Sequence, residues 1–446
     1  MTTESLFKTA DGKSHIVTFF LMTTLFLLWG FCNGMIDVMD KHFQDYLHLS
    51  KAQSAWVQFA HYLGYFLMAL PAGLLARRFG YKGGIIAGLL AVSLGGFWFV
   101  PATHIGSFWA FLLGVCLISM GLTILETVAN PYTTVLGPRH FAAARINLAQ
   151  SFNGVGWILG PIVGGAFFYS KAGTEVAHGQ LYVPYVAVAV IVLVLAVVFA
   201  FAAIPDLIPE GETTPDAAGP AKPGVSLWSQ RHFTGALVAQ FGYVAAQAGI
   251  FSFFINYVVS EVPAISSGAV NSWFLQGGAA LRGNDYFINE QGASRLLGVA
   301  GFGLFLAGRF SGAIILRKLS APLALGIYGA VNVVLCALVV LKLGWISVGA
   351  VFLSFFFMSI MFPTIFALGI HGLGSQAKRA SAFIVMAIMG GAIMPKFMGY
   401  LGDQYNMSVS FAVPLACFLV VASYGFSWSR LSHTAGVHDA TVHPGH

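Results

Sequence analysis

The sequence predicts an all-α membrane protein in which twelve transmembrane helices form two six-helix repeats. Three observations lead to this fold class. Only 9% of the 446 residues are charged and 57% are hydrophobic, whereas soluble domains contain about 25% charged residues. Apolar stretches of about 20 residues, the length that crosses a bilayer, recur along nearly the whole chain. The two halves also repeat the same order of local patterns.

The predicted spans fall into two groups of six. The first group covers residues 16–40, 52–76, 83–101, 108–136, 147–169 and 182–204. The second group covers residues 233–259, 296–316, 323–342, 346–368, 380–401 and 408–428. Pro, Gly and Ala are frequent between the groups, as in a flexible linker. The predicted domains are therefore a six-helix half at 1–204, a cytoplasmic linker at 205–231, a second half at 232–431 and a tail at 432–446.

Corresponding positions in the halves carry similar motifs. A glycine followed by a basic pair ends the second span of each half, at Gly73 and Gly312, and a proline interrupts the fourth, at Pro131 and Pro363. The offsets are 239 and 232 residues. Two parallel six-helix repeats with a ligand site at their interface describe the major facilitator fold. A channel or a membrane enzyme of this length has little reason to repeat itself at such an offset.

Basic residues concentrate at one end of the predicted bundle, together with both termini and the linker. The other end carries only Lys41, Lys51, Lys171, Arg282, Arg295 and Lys342. Since cytoplasmic loops are rich in Lys and Arg, we expect a multi-pass protein of the inner (plasma) membrane with both termini in the cytoplasm. The residues predicted to act at gates or helix ends, rather than as ligands, are Arg77, Arg78, Arg145 and Arg309.

Two carboxylates are predicted inside membrane spans, Asp37 in the first and Glu126 in the fourth. An ionisable residue at this depth is costly and is normally retained for ions or substrates that pass there. Neither has a basic neighbour in its own helix, and burial without a partner favours the protonated form that a proton-coupled carrier needs. Asp40 is followed by Lys41, and we expect it to be a solvated charge at the helix end.

Amide side chains accompany these carboxylates. Asn33 shares a helix face with Asp37, and Asn130 shares one with Glu126. Amides supply both donors and acceptors, which a polyhydroxylated ligand requires, and an indole can stack on the apolar face of a sugar. The predicted substrate-binding residues are Trp29, Asn33, Asn130, Gln150, Asn153 and Gln247. The alternative is that these residues join or fill helix contacts.

Other classes of site receive little support. The four cysteines lie inside predicted spans, as buried apolar residues do. The irregular spacing of histidines in the tail is not typical of a metal site. We expect no metal, no cofactor apart from the coupling ion, no nucleic-acid partner and no enzymatic activity. The predicted partners are a small sugar and the lipid bilayer, and the predicted oligomeric state is a monomer.

Several motifs carry a more specific resemblance. They include Leu125-Glu126-Thr127, Ala129-Asn130-Pro131, Asn147-Leu148-Ala149-Gln150, Pro363-Thr364-Ile365-Phe366 and Gly390-Gly391. With these motifs, almost the whole chain resembles the fucose–galactose–hexose transporter branch of the major facilitator superfamily. The resemblance implies proton-handling roles for Asp37 and Glu126. It also implies that sugar contacts fall on Asn33, Gln150 and Asn153, with Trp29 nearby.

The chain departs from this branch at three places. Gly34 replaces an asparagine, which we expect to alter sugar selectivity. Lys396 replaces an apolar residue, and it either extends outward or pairs with a site carboxylate. Residues 271–290 resemble an insertion.

The function expected from the sequence is proton-coupled symport of a monosaccharide, L-fucose or a related hexose, by alternating access. The alternative is a sodium-coupled glucose, galactose or mannose transporter of the same branch. A solute exporter is less expected, because its wide apolar cavity would contain few amides, and here the amides cluster. A sensor would need a soluble output domain, which is not evident here.

Overall fold

The computed structural model describes residues 7, 14–138, 142–169, 182–205, 226–270, 275–316, 318–373 and 376–433. Within these residues, twelve helical segments are long and apolar enough to cross a membrane. The predicted all-α membrane fold is therefore confirmed. Most of the predicted linker and tail, including the tail histidines after His433, lie outside the described residues.

The first half contains six spans in chain order, which we number spans 1–6. Its helices are Ile16–Leu47, Lys51–Ser54, Trp56–Ile105, Phe108–Val135, Ala142–Phe168 and Val183–Phe201. The helix Trp56–Ile105 contains spans 2 and 3, because Gly80 interrupts it with φ 69° and ψ −175°. A glycine adopts this positive φ without the steric cost that a side chain would bring. The chain therefore turns back there, between the span Lys51–Ala76 and the span Arg78–Ile105.

The second half contains spans 7–12, and several of them are broken. Spans 7 and 9 are single helices, Arg231–Glu261 and Ala321–Val340. The other segments are Glu290–Leu296, a π-helical turn Leu297–Phe302 and Gly303–Ile315 in span 8; Trp345–Met358 and Met361–Ile370 in span 10; Ala377–Met386, a 3₁₀ turn Ala387–Met389 and Gly390–Gln404 in span 11; and Met407–Ser410 and Ala412–His433 in span 12. A 3₁₀ turn, Leu227–Ser229, precedes span 7.

A β-hairpin lies between spans 7 and 8, in the segment predicted to be an insertion. Strand β1 (Ala279–Arg282) pairs antiparallel with strand β2 (Asp285–Ile288), after the short helix Ser267–Val270. Asn289 then caps span 8, its Oδ1 accepting from the Gly292 amide at 2.9 Å. These strands were not predicted from the sequence.

Spans 1 and 5 cross with their backbones in close contact. Gly30 and Gly34 on span 1 face Gly156 and Gly160 on span 5, and a Cβ added to Gly34 would lie 2.9 Å from the carbonyl oxygen of Trp157. Small residues four apart allow membrane helices to approach in this way. Gly34 therefore faces a helix contact, and the expected effect of this residue on sugar selectivity stays a prediction.

Hydrogen bonds join the two halves at one end of the bundle. We call this end, which contains Lys41, Lys51 and Asp403, the Lys51 end. Across the interface, span 1 meets span 7, span 2 meets span 11, and span 5 meets span 8. The structure therefore shows a conformation in which the halves are joined at the Lys51 end.

Candidate functional site

A polar stripe on span 2 faces the centre of the bundle. Gln58, His61, Tyr62 and Tyr65 are spaced three and four apart and so share one helix face. Gln58 is 1% exposed and His61 is 6% exposed. These four residues are not among those predicted from the sequence, although their spacing in an apolar span was a readable signal.

Tyr65 connects predicted residues from two different spans. The indole nitrogen of Trp29 donates a hydrogen bond to the Tyr65 hydroxyl at 2.6 Å. Asn33 from span 1 and Glu126 from span 4 also lie near this tyrosine. The structure thus brings an indole, an amide and a carboxylate together around one phenol, a combination suited to sugar hydroxyls and a ring face.

The polar atoms of Asn33 and Glu126 are not all used within the protein. Asn33 is 6% exposed, and its Oδ1 accepts no hydrogen bond from the described residues. Glu126 is half-buried. None of the ion pairs between described residues includes Glu126. Buried polar atoms are normally satisfied, so both side chains are available to a ligand or a proton.

Asp37 lies beside a second carboxylate, that of Asp40. Gln58 Nε2 donates to Asp37 Oδ1 and to Asp40 Oδ2, at 3.2 Å in both cases. Asp40 is 0% exposed, so the expectation of a solvated charge at the helix end was wrong. The neighbouring Lys41 points elsewhere, toward Asp45 at 2.5 Å. A sequence neighbour one residue away lies on a different helix face, which explains the error.

The other predicted amides occupy different environments. Gln150 donates to Asn130 Oδ1 at 3.2 Å, which joins spans 4 and 5, and both side chains are half-buried. Asn153 is 2% exposed, and its Nδ2 donates to the Phe26 carbonyl at 3.2 Å. Asn153 therefore makes a helix contact of the kind considered as an alternative. Gln247 on span 7 is half-buried.

The predicted gate and helix-end arginines differ in their surroundings. Arg145 is 0% exposed and donates to the carbonyls of Thr133 at 3.0 Å, Pro138 at 3.0 Å and Gly137 at 3.1 Å. It thereby caps the end of span 4, while burial lowers the pKa of its guanidinium below the ordinary value. Arg145 thus lies at the end of span 4, and its role at a gate or helix end stays a prediction.

Arg309 and Arg78 both lie against aromatic rings. The Arg309 guanidinium is 4.9 Å from the Phe305 ring centre, inside the second half. Arg78 lies 5.6 Å from the ring centre of Phe79 and is exposed. The Arg77 side chain falls outside the part of the chain that the structure describes.

Lys396 faces outward from span 11. Its Nζ is 4.0 Å from the centre of the Trp56 ring, and the residue is exposed. None of the ion pairs between described residues includes it. The idea that Lys396 pairs with a site carboxylate is therefore wrong, and the outward-facing alternative is the one that the geometry supports.

Polar contacts between the two halves close the bundle at the Lys51 end. Asn256 of span 7 donates to Gln44 Oε1 of span 1 at 2.5 Å, and Gln44 donates to Ser54 at 2.8 Å. The Asp403 carboxylate of span 11 accepts from the backbone amides of Lys51 at 3.0 Å and Ala52 at 2.9 Å. These bonds hold span 1 to span 7 and the start of span 2 to span 11.

Comparison with known proteins identifies the family. Residues 15–395 match the sequence profile of the Major Facilitator Superfamily. The chain belongs to the Major Facilitator Superfamily. Proteins of this family are transporters and not enzymes, so the predicted lack of catalytic residues agrees with the family.

This facilitator-superfamily chain also has curated relatives that cover nearly its whole length. It is 32% identical over 432 residues to the L-fucose-proton symporter of Escherichia coli, covering 92% of this chain and 93% of that protein. It is 32% identical over 429 residues to the glucose/galactose transporter of Brucella abortus, covering 95% and 97%. The crystal structure of the transporter FucP in its outward conformation matches with 31% identity and a TM-score of 0.63, covering 93% and 99%. The predicted resemblance is confirmed, and the family supports a sugar-transporting role.

Proposed function

We propose that this transporter is a proton-coupled symporter of a monosaccharide, L-fucose or a related hexose. The observation that carries the proposal is the position of Glu126. It is a half-buried carboxylate within a membrane span, unpaired by any described cation, near the tyrosine that Trp29 and Asn33 also approach. A carboxylate in such a place is costly unless it exchanges a proton or binds an ion.

Alternating access then couples the two ligands. With Glu126 and Asp37 still ionised, closure around a bound sugar would enclose bare charges at a low-dielectric interface, which is unfavourable. Protonation removes this cost, and the sugar hydroxyls supply partners for amides such as Asn33 that lack them. The protonated form is therefore the one that carries sugar across, and the carrier returns empty after it has released both ligands.

The proposed sugar contacts are the amides whose hydrogen-bonding groups remain accessible to a sugar. We propose that Trp29 and Asn33, which lie near Tyr65, contact the sugar together with the half-buried Asn130, Gln150 and Gln247. Asn153 is the weakest candidate, because its donor is already bound to a carbonyl. We propose that the transporter works as a monomer, with Arg309 and Arg78 at helix ends.

The proposed orientation follows from the basic residues. Arg78 and Lys82 lie at the end opposite to Lys51, where cytoplasmic loops would carry positive charge. The protein would therefore lie in the inner membrane with both termini in the cytoplasm. The Lys51 end would face outward, and the conformation described here would be closed to the outside.

Sodium coupling is the alternative, and one observation favours it. Asp37 Oδ2 and Asp40 Oδ1 are buried and accept no hydrogen bond from the described residues. Carboxylate oxygens of this kind are ligands that hard cations prefer. Proton coupling has the support of the fucose relative, whose name states that it is a proton symporter.

Uptake of labelled sugars into proteoliposomes tests the proposal. A panel of L-fucose, glucose, galactose and mannose is offered under an inward proton gradient, an inward sodium gradient or no gradient. We expect one or more of these sugars to accumulate under the proton gradient alone. Accumulation that follows sodium at constant pH would replace protons by sodium, and the absence of uptake for every sugar would contradict the proposed substrate class.

A further inference from the structure

Asp37, one of the two predicted coupling carboxylates, forms a buried pair with Asp40, to which no coupling role was assigned. Both residues lie on span 1, three positions apart and therefore on one helix face. Asp37 is 5% exposed and Asp40 is 0% exposed. One nitrogen atom, Gln58 Nε2, lies 3.2 Å from an oxygen of each. The second oxygen of each carboxylate accepts no hydrogen bond from the described residues.

Two ionised carboxylates would be poorly compensated in this place. The two N–H groups of Gln58 give each carboxylate one donor, and ionised carboxylates have about four acceptor sites each. The ion pairs formed by described residues involve Lys41, Lys51 and Lys342, and none includes either aspartate. Like charges that share a buried site do not both ionise readily, and such a pair titrates as a unit.

The groups that face the pair from neighbouring spans do not neutralise it. Tyr62 of span 2 lies near Asp37, and Tyr169, after span 5, lies near Asp40. Ser252 of span 7 also lies near Asp40. The hydroxyls of Tyr169 and Ser252 already donate to the carbonyls of Val38 and Ala248, and none of the three hydroxyls carries a charge that would balance the pair. His42 of span 1 instead stacks on Phe168, with ring centres 4.5 Å apart.

We propose that Asp40 is a third proton-binding residue beside Asp37 and Glu126, and that Asp37 and Asp40 share one proton when the halves are joined at the Lys51 end. This inference deepens the proposed function and rests on it for its role in transport. Asp40 sits one turn before Gln44, which bonds across to span 7, and it faces Ser252 on that same span. Loss of the shared proton would leave two buried anions at the contact between the halves and would favour its opening and hydration.

Infrared spectroscopy of the purified protein in lipid tests the inference without any sugar. The Glu126→Gln background removes the other mid-membrane carboxyl, and pH-difference spectra follow the band of the protonated carboxyl. In this background we expect a carboxyl that loses its proton as pH rises. Asp40→Asn leaves Asp37 without a like-charged neighbour, so the midpoint moves to lower pH by about one unit or more.

Two further variants complete the test. Gln58→Leu removes the donor that favours the ionised forms, so the midpoint moves to higher pH. Asp45→Asn is the control, because Asp45 lies on the same helix but is about half exposed and pairs with Lys41, and it leaves the midpoint in place. If Asp40→Asn does not fold, the direction of the Gln58→Leu shift decides alone.

The inference is overturned if the midpoint is the same in the background protein and in Asp40→Asn or, where that variant is not folded, in Gln58→Leu. It is also overturned if sodium at constant pH, rather than pH, removes the band. Failure of the sugar panel in proteoliposomes would instead reject the proposed substrate, since the infrared measurement contains no sugar. The two failures are therefore distinguishable.

Discussion

Asn256 and Gln44 bind each other directly across the two halves of the protein. The Asn256 amide nitrogen lies 2.5 Å from Gln44 Oε1, and both side chains are buried. The residues are 212 positions apart in the chain. Alternating access requires such a contact to break and reform, because the halves move against each other around the ligand.

Replacing Asn256 should therefore favour opening at the Lys51 end. Asn256→Leu leaves the Gln44 carbonyl buried without its donor, at a cost of about 1–3 kcal/mol to the closed state. Spin labels at the exposed positions Asp45 and Tyr405 report the separation of the halves by pulsed electron resonance. We expect longer distances to gain population in Asn256→Leu. Ser260→Ala serves as the control, since its hydroxyl bonds only to the carbonyl of its own helix, and an equal shift there would contradict the assigned role of Asn256.

The side chains of Asp403 and Lys51 should stabilise the closed state of the Lys51 end to different extents. The Asp403 carboxylate accepts from two backbone amides that remain when the Lys51 side chain is truncated. Hydrogen bonds to a charged group contribute about 1.5–3 kcal/mol each, whereas a partly exposed ion pair contributes about 0–1 kcal/mol. With the same pair of labels, Asp403→Ala should open the Lys51 end far more than Lys51→Ala. Equal effects would mean that the ion pair, at 3.5 Å, carries the contact.

We expect Asn153 to have a structural role and Gln150 to have a ligand-binding role. Asn153 bonds to a span 1 carbonyl, so Asn153→Ala should lower the free energy of unfolding by about 1–3 kcal/mol. Gln150 is half-buried beside Asn130, so Gln150→Ala should weaken sugar binding about 5-fold to 100-fold with a smaller loss of stability. Thermal unfolding and sugar titration on the same purified variants measure both quantities. The reverse pattern would contradict the assignment.

The Asp37→Asn variant can show whether protons or sodium ions are coupled to sugar binding. If Asp37 binds the coupling proton and the protonated form binds sugar, affinity should be full at low pH and fall as pH rises, whatever the sodium concentration. Asp37→Asn should flatten this dependence. Were Asp37 a sodium ligand, affinity would rise with sodium and change little between mildly acidic and neutral pH. Titrating sugar affinity across pH with and without sodium, in wild type and variant, gives the answer.

The membrane fold and much of the candidate site follow from local patterns in the sequence. Apolar spans, the linker composition and the repeated prolines predict the twelve helices, and an isolated carboxylate at mid-span marks Glu126. The polar stripe of Gln58, His61, Tyr62 and Tyr65 had a readable period of three and four residues.

Other features depend on how distant elements meet. Asp40 was misjudged because Lys41 follows it, yet the structure places the two on different faces. The bond between Gln44 and Asn256 requires the register of one half against the other, which no local period encodes. Asn153 shows the same dependence, since only the crossing of spans 1 and 5 places its donor against the Phe26 carbonyl.

The most direct test of proton coupling is transport by the Glu126→Gln variant. The amide keeps the size and much of the hydrogen-bonding capacity of the carboxyl but cannot take up or release the proton. Two measurements on the same proteoliposomes are compared: uptake of labelled sugar against its gradient under a proton gradient, and exchange of labelled for unlabelled sugar without one. We predict that Glu126→Gln loses accumulation and keeps exchange. Accumulation at the wild-type level would contradict the account.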